Sequence, residues 1–532
     1  MQDTKNPQAL DPEYEDVIVL DTVSIAPNFE PVLEHAAERR EANAKLESYL
    51  GGRKRRPNII LFMMDDVGWG DLGCYGGGHA VGAPTPNMDR LAREGLLLTS
   101  CYSQPSCSPT RATTLTGRLP VRHGLLHPPM YGEQGGLAGE ATLAKHLQDA
   151  GYVTQAVGKW HCGENDESLP HKVGFEDFYG FLSVSDMYTE WRDPYFYPEI
   201  ARSPARTQWV EQFKFDRHWV HAKQGGEIND LAEITIEVCE KLDDAWADYS
   251  ERFIRRMASS DKPFFLQHAT RGAHFDNYPR PELRGTSPAK YPYKDVMMEL
   301  DAILGRLVKA LKDTGQLEDT IIFITSDNGP EMEAWPDSGH TPFRCAKGST
   351  WEGGVRVPGI FYWNGMIDPG RVSDGLFDMC DLFPTFLGFA GVDPTQVVAQ
   401  DTYIDGIDQT SMLLAEHGHS NRRHVYYWLQ AAFSAIRCGE YKWVLTGTST
   451  DATDAVNPGG FTGTQQTYSY PKIFNLYMDP KETHSTFVRR VVYNSTFIDA
   501  FGAHMKTLKS YPPKVVPIVP FVGGVKLRGE ES

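Results

Sequence analysis

Asn58-Ile59-Ile60-Leu61-Phe62-Met63-Met64-Asp65-Asp66 is the stretch that decides the fold class. Its apolar run lacks the polar alternation of a half-exposed strand, which is the pattern of a strand buried on both faces of a parallel sheet. Two carboxylates follow at once, at the end of the strand where open parallel sheets bind their ligands. Further along, three more segments have this form. Tyr152–Val157 runs into Gly158-Lys159-Trp160-His161, Pro263–Ala269 precedes His274, and Thr320–Thr325 runs into Ser326-Asp327-Asn328-Gly329.

Helical segments separate these strands. Thr85–Gly95 has Pro86 near its start, Ser108–Gly117 reads with Ser108 as N-cap and Pro109 at the first helical position, and Thr142–Ala150 is closed by Gly151. Val296–Leu311 carries an apolar stripe at helical spacing that ends at Gly315. The alternation predicts an α/β fold: a large, mostly parallel sheet covered by helices on both faces, spanning residues 57–415. After residue 415 short aromatic strands (His424–Leu429, Ser434–Cys438, Tyr441–Leu445, Ile473–Leu476) and a helix near Thr496–Leu508 predict a smaller C-terminal α+β subdomain, 416–532, with an antiparallel sheet. Residues 1–56 read as an N-terminal extension with a helix over Pro31–Leu50 and a solvated basic linker, Arg53-Lys54-Arg55-Arg56. That helix is a candidate for subunit contacts in a homo-oligomer.

Composition narrows the function. The 532 residues are 41% hydrophobic and 23% charged, enough for a sizeable core, and 52 Lys+Arg against 70 Asp+Glu give a formal net charge of −18, which argues against a nucleic-acid partner. No apolar run approaches a bilayer span; Val515–Val522 is broken by Pro517 and Pro520, so no membrane partner is expected. Met1–Asp16 is polar and acidic, with no basic region ahead of an apolar one, so the expected location is cytoplasmic, or periplasmic or secreted had a leader been removed. The eight cysteines show neither CxxC nor zinc-ligand spacing, and all but Cys107 read as buried thiols.

Four strand ends on one side of a sheet make a joint argument for an active site. Asp65, Asp66, Asp327 and Asn328 offer only oxygen, which suits Ca²⁺ or Mg²⁺ rather than zinc. Asp65 and Asp66 reach one ion only if the strand has already ended, and Val67-Gly68-Trp69-Gly70 allows such a turn. Lys159 and His161, two apart, project from one face of an extended chain and make an oxyanion site that the acidic composition conceals. Cys107-Ser108-Pro109-Thr110-Arg111 places a thiol just before a helix N-terminus with Arg111 four residues on; the chemistry reads equally as a cysteine nucleophile or a buried structural thiol.

Cys107-Ser108-Pro109-Thr110-Arg111 followed by Leu115-Thr116-Gly117-Arg118 resembles the signature of type I sulfatases of the alkaline phosphatase superfamily. The likeness runs from about Pro57 to Pro358. It takes in Asn58-Ile59-Ile60 with Asp65-Asp66, Gly158-Lys159-Trp160-His161, Ser326-Asp327-Asn328-Gly329 and the segment Cys345–Arg356 with Lys347, and Ile473–Pro480 resembles the family's closing strand and turn.

The resemblance implies an arylsulfatase-like hydrolase whose Cys107 is oxidised to formylglycine by a formylglycine-generating enzyme, acting on a small sulfate ester. It assigns Asp65, Asp66, Asp327, Asn328 and the modified Cys107 to one cation, usually calcium, with magnesium as the alternative. The hydrated aldehyde would attack sulfur, and its second hydroxyl would then expel sulfate. Arg111 would orient that hydrate, and Lys159 and Lys347 would hold the sulfate oxygens. His161 would assist the hydrate, and His274 would be the leaving-group acid, sharing the task with Lys347. Of two nearby histidines the family spacing selects His274, leaving His268 to the core. A serine near the sulfate falls at Ser183 or Ser185. The stretch Asp186–Asp230 reads as a long loop lining the substrate mouth, without naming the substrate as aryl, alkyl or sugar sulfate. Rival readings are a phosphonate or phosphate monoester hydrolase of the same superfamily, an unmodified thiol hydrolase, and a non-catalytic relative; the last would require a lost chemical group, and every motif position is filled.

Overall fold

A computed structural model describes residues 20–53, 55–129, 135–189, 192–195, 197–203, 218–448 and 460–514. Two short strands, Thr22–Val23 (β1) and Val32–Leu33 (β2), pair with each other. The main sheet has 11 strands: Asn58–Met64 (β3), Leu96–Tyr102 (β4), Val153–Lys159 (β5), Asp177–Phe181 (β6), Trp219–Lys223 (β7), Ile228–Ala232 (β8), Phe264–Ala269 (β9), Thr320–Ser326 (β10), Arg356–Tyr362 (β11), Arg371–Ser373 (β12) and Phe377–Asp378 (β13). Its order is β12-β4-β11-β10-β3-β9-β5-β6-β7-β8, with β13 also on β4. The run β10-β3-β9-β5-β6 is parallel throughout, so the chemistry-bearing ends of β3, β5, β9 and β10 all meet at one edge.

Strand β3 shows why the sheet is central. Its odd residues Ile59, Leu61 and Met63 enter one buried cluster, with Leu143, Leu147, Leu382 and Phe386 of the helices on that face. Ile60, Phe62 and Met64 enter the other, with Trp246, Phe253, Leu300 and Leu304 of the helices Leu242–Met257 and Pro292–Asp313. Each such side chain contributes about 1.5–3 kcal/mol of burial, so both helix layers are held by six consecutive apolar residues of one strand. Gly158 is constrained by its neighbour: φ is +97°, and a Cβ would stand 1.7 Å from the Ala269 carbonyl oxygen, so only glycine lets β5 press against β9 as it reaches Lys159.

Local expectations shift in several places. The helix predicted from Ser108 begins one residue earlier and spans Cys107–Thr116, because Ser106 holds the extended φ −157°, ψ 172° that precedes a helix. Cys107 is therefore the first helical residue rather than the one before it. Gly117 ends the helix in the left-handed conformation, and Thr142 caps the next one by accepting from the Lys145 amide. Within the stretch read as a loop, Asp186–Thr189 and Pro198–Ala201 are short helices and strands β7 and β8 form a hairpin at the sheet edge; residues 190–191, 196 and 204–217 lie outside the described residues. Cys74 is half-buried rather than buried.

His424–Leu429 (β14), Ala432–Cys438 (β15), Tyr441–Thr448 (β16) and Gln465–Asn475 (β17) form the antiparallel sheet. Alternation gives it two apolar faces: Tyr426 and Trp428 pack with Phe497 and Ala500 of the helix Asn494–Ser510, while Val425 and Tyr427 pack with Tyr102, Trp351 and Val355 of the main body. The apolar run Val515–Val522 lies outside the described residues.

The N-terminal helix spans Ala36–Gly51, since Leu33 belongs to β2 instead. It lies on the main body: Phe29 bridges to Ile404, the Leu33 amide donates to the Asn421 carbonyl, and Lys45 pairs with Asp368. The basic run is not a free linker. Arg53 pairs with Asp319 and stacks on Tyr49, and Arg55 donates to the Ser260 carbonyl; Lys54 lies outside the described residues.

Candidate active site

The edge formed by β10, β3, β9 and β5 gathers its side chains through three chain reversals. Strand β3 ends at Met64 and Asp66 takes φ +59°, so both aspartates turn into one space, as the two-faced strand geometry required. Beyond β5, His161 takes φ +51°; the chain has turned, and His161 and Lys159 do not share a face of extended chain. The segment bearing Lys347 is fastened by the Lys347 amide to the Pro330 carbonyl and by the Gly348 amide to the Pro105 carbonyl, which brings it over the start of the Cys107 helix.

Cys107 Sγ lies 3.6 Å from Asp65 Oδ1 and 3.9 Å from Asp66 Oδ1. Lys159 Nζ donates to Asp65 Oδ2 at 2.6 Å, and Lys347 Nζ donates to Asp66 Oδ2 at 2.8 Å. Arg111 donates from Nε and Nη2 to Asp327 Oδ2, at 3.0 and 2.7 Å, and from Nη1 to the Lys159 carbonyl. His274 lies at 3.1 Å through Nε2 from Lys347 Nζ, and its Nδ1 donates to the Phe275 carbonyl. Asp65, Asp66, Cys107 and His274 each place one potential ligand atom within 4.8 Å of the others. All of these residues are buried, so three carboxylates and three fixed cations face each other in low dielectric.

That balance fixes the protonation states. Burial, then Asp327, pushes the Cys107 thiol well above its ordinary range despite Lys159 and Lys347, so the thiol is held protonated and is a poor nucleophile as encoded. Burial, then Lys347 and Lys159, pushes His274 well below the usual histidine range, and burial, Lys159 and Arg111 do the same to His161; both rings are neutral. Burial pulls Lys347 down, but Asp66 and its neighbours outweigh it and keep the ammonium charged.

The residues suit a hard cation. Asn328 turns Nδ2 to Asp66 Oδ1 at 2.7 Å, while its Oδ1 is buried with no donor. A turned amide would present that orphaned oxygen beside Asp66 to an oxygen-seeking ion.

The main body, residues 57–392, matches the sulfatase family model, and a model of the sulfatase AslA C-terminal domain matches residues 434–509. The chain belongs to the sulfatase family. Among its relatives is the N-acetylgalactosamine-6-sulfatase of Canis lupus familiaris, 34% identical over 81% of this chain and 82% of that protein. Arylsulfatase A of Homo sapiens is 33% identical over 81% of this chain and 83% of that protein. The crystal structure of the PsFucS1 sulfatase from Pseudoalteromonas sp. superposes with a TM-score of 0.88 at 41% identity, covering 94% of this chain and 99% of that one. This sulfatase hydrolyses sulfate esters, with Cys107 at the centre of its buried site.

The sulfatase thus brings Asp65, Asp66, Cys107, Arg111, Lys159, Asp327, Asn328, His274 and Lys347 into one connected cluster. His161 is buried among the same charges, with Lys159, Arg111 and Lys347 as its charged neighbours. His268 is a core residue, stacked on Phe62 and bonded to Ser250. Ser183 and Ser185 are both buried, with hydroxyls that have no partner among the described residues, so either remains a candidate. Sequence reading missed three neighbours of the cluster. Glu331 lies 3.9 Å from Lys347, Asp186 lies 3.8 Å from His274, and Phe461 holds its ring 6.0 Å from Lys347 Nζ. Glu331, three residues beyond Asn328, and Asp186, at the start of the stretch read as lining the substrate mouth, had a signal in the chain; Phe461 had none. No helix among the described residues is long and apolar enough to cross a membrane.

Proposed function

We propose that this sulfatase removes sulfate from esters carried on sugars, using formylglycine made from Cys107 and a Ca²⁺ held by Asp65, Asp66, Asp327, Asn328 and residue 107. The observation that carries the reading is the position of Cys107 Sγ beside two aspartates that are themselves tied to Lys159 and Lys347. Formylglycine, once hydrated, supplies a hydroxyl nucleophile, and the cation supplies a fixed positive charge for sulfate oxygens. Both complement a site whose encoded thiol is held protonated.

The chain's own residues do the rest. Lys159 and Lys347 face the anionic oxygens and stabilise charge gathering on them. Arg111 is held by Asp327 and the Lys159 carbonyl, and so fixes the wall against which residue 107 is oriented. His274 donates Nδ1–H to Phe275, which leaves Nε2 to accept one of the three Lys347 ammonium protons; that shared proton is the one that would pass to the departing alcohol. His161, neutral and buried beside Lys159, would assist a hydroxyl at residue 107 by binding it or accepting its proton. Residues 57–415 carry this machinery, between an N-terminal extension and the C-terminal sheet of 416–532. A sugar ester is favoured because the relatives include N-acetylgalactosamine-6-sulfatases at 34% identity.

The test has two parts. Sulfate release is compared on N-acetylgalactosamine 6-sulfate, 4-nitrophenyl sulfate and phosphate and phosphonate monoesters. The peptide containing residue 107 is weighed from protein made in cells with the modifying enzyme. Sugar-sulfate turnover with a formylglycine mass is expected. An intact thiol in fully active protein would overturn the mechanism, and faster phosphonate turnover would overturn the substrate assignment.

A further inference from the structure

His35, Glu38 and His419 form a second group in which one ligand atom from each residue lies within 4.8 Å of the others. It lies outside the active-site cluster, where the N-terminal helix meets the segment preceding β14. His419 Nδ1 is 2.6 Å from Glu38 Oε1, and His35 Nδ1 is 4.0 Å from the same oxygen. The two rings are stacked with centroids 5.5 Å apart and planes at 28°.

The hydrogen bonds around this group fix its chemistry. His35 Nε2 faces the Ser420 carbonyl at 3.2 Å, and a carbonyl only accepts, so Nε2 carries the proton. His35 Nδ1, on the other side of the ring, faces the Glu38 carboxylate at 4.0 Å, beyond hydrogen-bond length and with room for a shared cation between them. A histidine that donates its outer nitrogen to a carbonyl while its inner nitrogen faces a carboxylate is poised as a metal ligand. The support is rigid on both sides: the His419 amide donates to Glu38 Oε2 at 2.8 Å, Ser420 and Asn421 are bonded to Gln409, and the Asn421 carbonyl accepts from Leu33. Tetrahedral ligands at about 2.0–2.1 Å from an ion lie about 3.3 Å apart, so the observed spacings of 2.6 and 4.0 Å need only small side-chain adjustments. Two imidazoles and one carboxylate are a borderline set that selects Zn²⁺ over Ca²⁺. His419 is 65% exposed, which leaves the fourth position to water.

We propose that His35, Glu38 and His419 bind one Zn²⁺, which clamps the N-terminal helix to the catalytic body across a sequence separation of 381 residues. His419 Nδ1–H already donates to Glu38, a proton that the ion would displace, but one such contact at the surface adds little by itself. A bound ion would cross-link the two segments.

The experiment uses the full chain without a histidine tag, in saturating Ca²⁺, titrated with Zn²⁺ by calorimetry and with Co²⁺ by visible absorption. One site with tetrahedral cobalt bands is expected, accompanied by a rise in Tm with Zn²⁺ concentration. His35→Ala, His419→Ala and the milder Glu38→Gln should each weaken that site by more than about 100-fold, beyond what the loss of a supporting hydrogen bond causes. Cys107→Ala should leave it intact, which separates it from the active site. Sulfate release in Ca²⁺ should be unchanged in Glu38→Gln, which shows that the variant is folded. Zn²⁺ affinity unchanged in all three variants, loss of the site in Cys107→Ala, or the absence of saturable Zn²⁺ binding would each overturn the proposal.

Discussion

Arg111 donates twice to one oxygen of Asp327 and once to the Lys159 carbonyl, and it is fully buried. The guanidinium therefore joins the ends of β10 and β5 to the Cys107 helix in a single plane. A lysine would keep the charge but could not make three bonds in that plane. Arg111→Lys is expected to leave part of Asp327 unpaired and to let residue 107 shift. The expected outcome is a fall in kcat/KM of at least about 100-fold, in line with a misplacement of about 1 Å, and a lower Tm. Sulfate-release kinetics and a thermal melt check it; activity within a few-fold of the parent would show that charge alone suffices at this position.

At the scale of elements, the Lys347 segment is steadied from the C-terminal sheet. Lys442 of β16 donates to the Thr350 carbonyl and to Glu352, and pairs with Glu482 at 3.0 Å, while Glu482 accepts from the Glu352 amide. Lys442→Met removes the cation that Glu352 and Glu482 share, leaving Glu352 to Arg356 and Arg437 and Glu482 without its ion pair. Breaking a buried pair in this way costs about 3–5 kcal/mol, and kcat should fall as Lys347 loses its footing. Adding Glu482→Gln should restore part of the stability, read as the denaturation midpoint; no recovery would show that packing rather than charge was lost.

Which elements the chain announced follows from the range of their determinants. Strands β3, β5, β9 and β10 are legible because burial on both faces needs only a local apolar run, and the C-terminal strands because alternation is local. Strands β4 and β11 went unread: their antiparallel pairing joins residues such as Leu96 and Phe361, far apart in sequence. The aspartates and Lys159 were readable at strand ends, whereas Lys347 came only with the family resemblance of the segment Cys345–Arg356. The pairing of Arg111 with Asp327, the Lys442 network and the place of Phe461 beside Lys347 depend on contacts that no local pattern encodes.

For the whole molecule, Glu30 ties the N-terminal segment to the body. It is buried, accepts from the Tyr403 hydroxyl at 2.9 Å and lies among Asp405, Arg422 and Arg122. Burial, then Asp405, raises its carboxyl from 4.5 to about 7. A carboxyl raised in the fold binds protons more tightly there than in the unfolded chain. Stability from this group is therefore greatest at low pH and declines as pH climbs from about 4.5 to about 7, by roughly 3 kcal/mol for a shift of this size. Buried His123 and His504, pushed well below the usual histidine range by burial, act oppositely: their contribution is lost as pH falls through the unfolded value. The parent's own pH profile mixes the two, so the informative quantity is the difference between Glu30→Gln and the parent, in which the histidines cancel. Glutamine keeps an acceptor for Tyr403 and cannot ionise. Denaturant unfolding in saturating Ca²⁺ should find the two proteins close in stability near pH 5 and the variant more stable near pH 8, by up to about 3 kcal/mol. A difference that stays constant with pH would mean that Glu30 does not titrate in the fold and that the N-terminal segment is held by its strand and helix contacts alone.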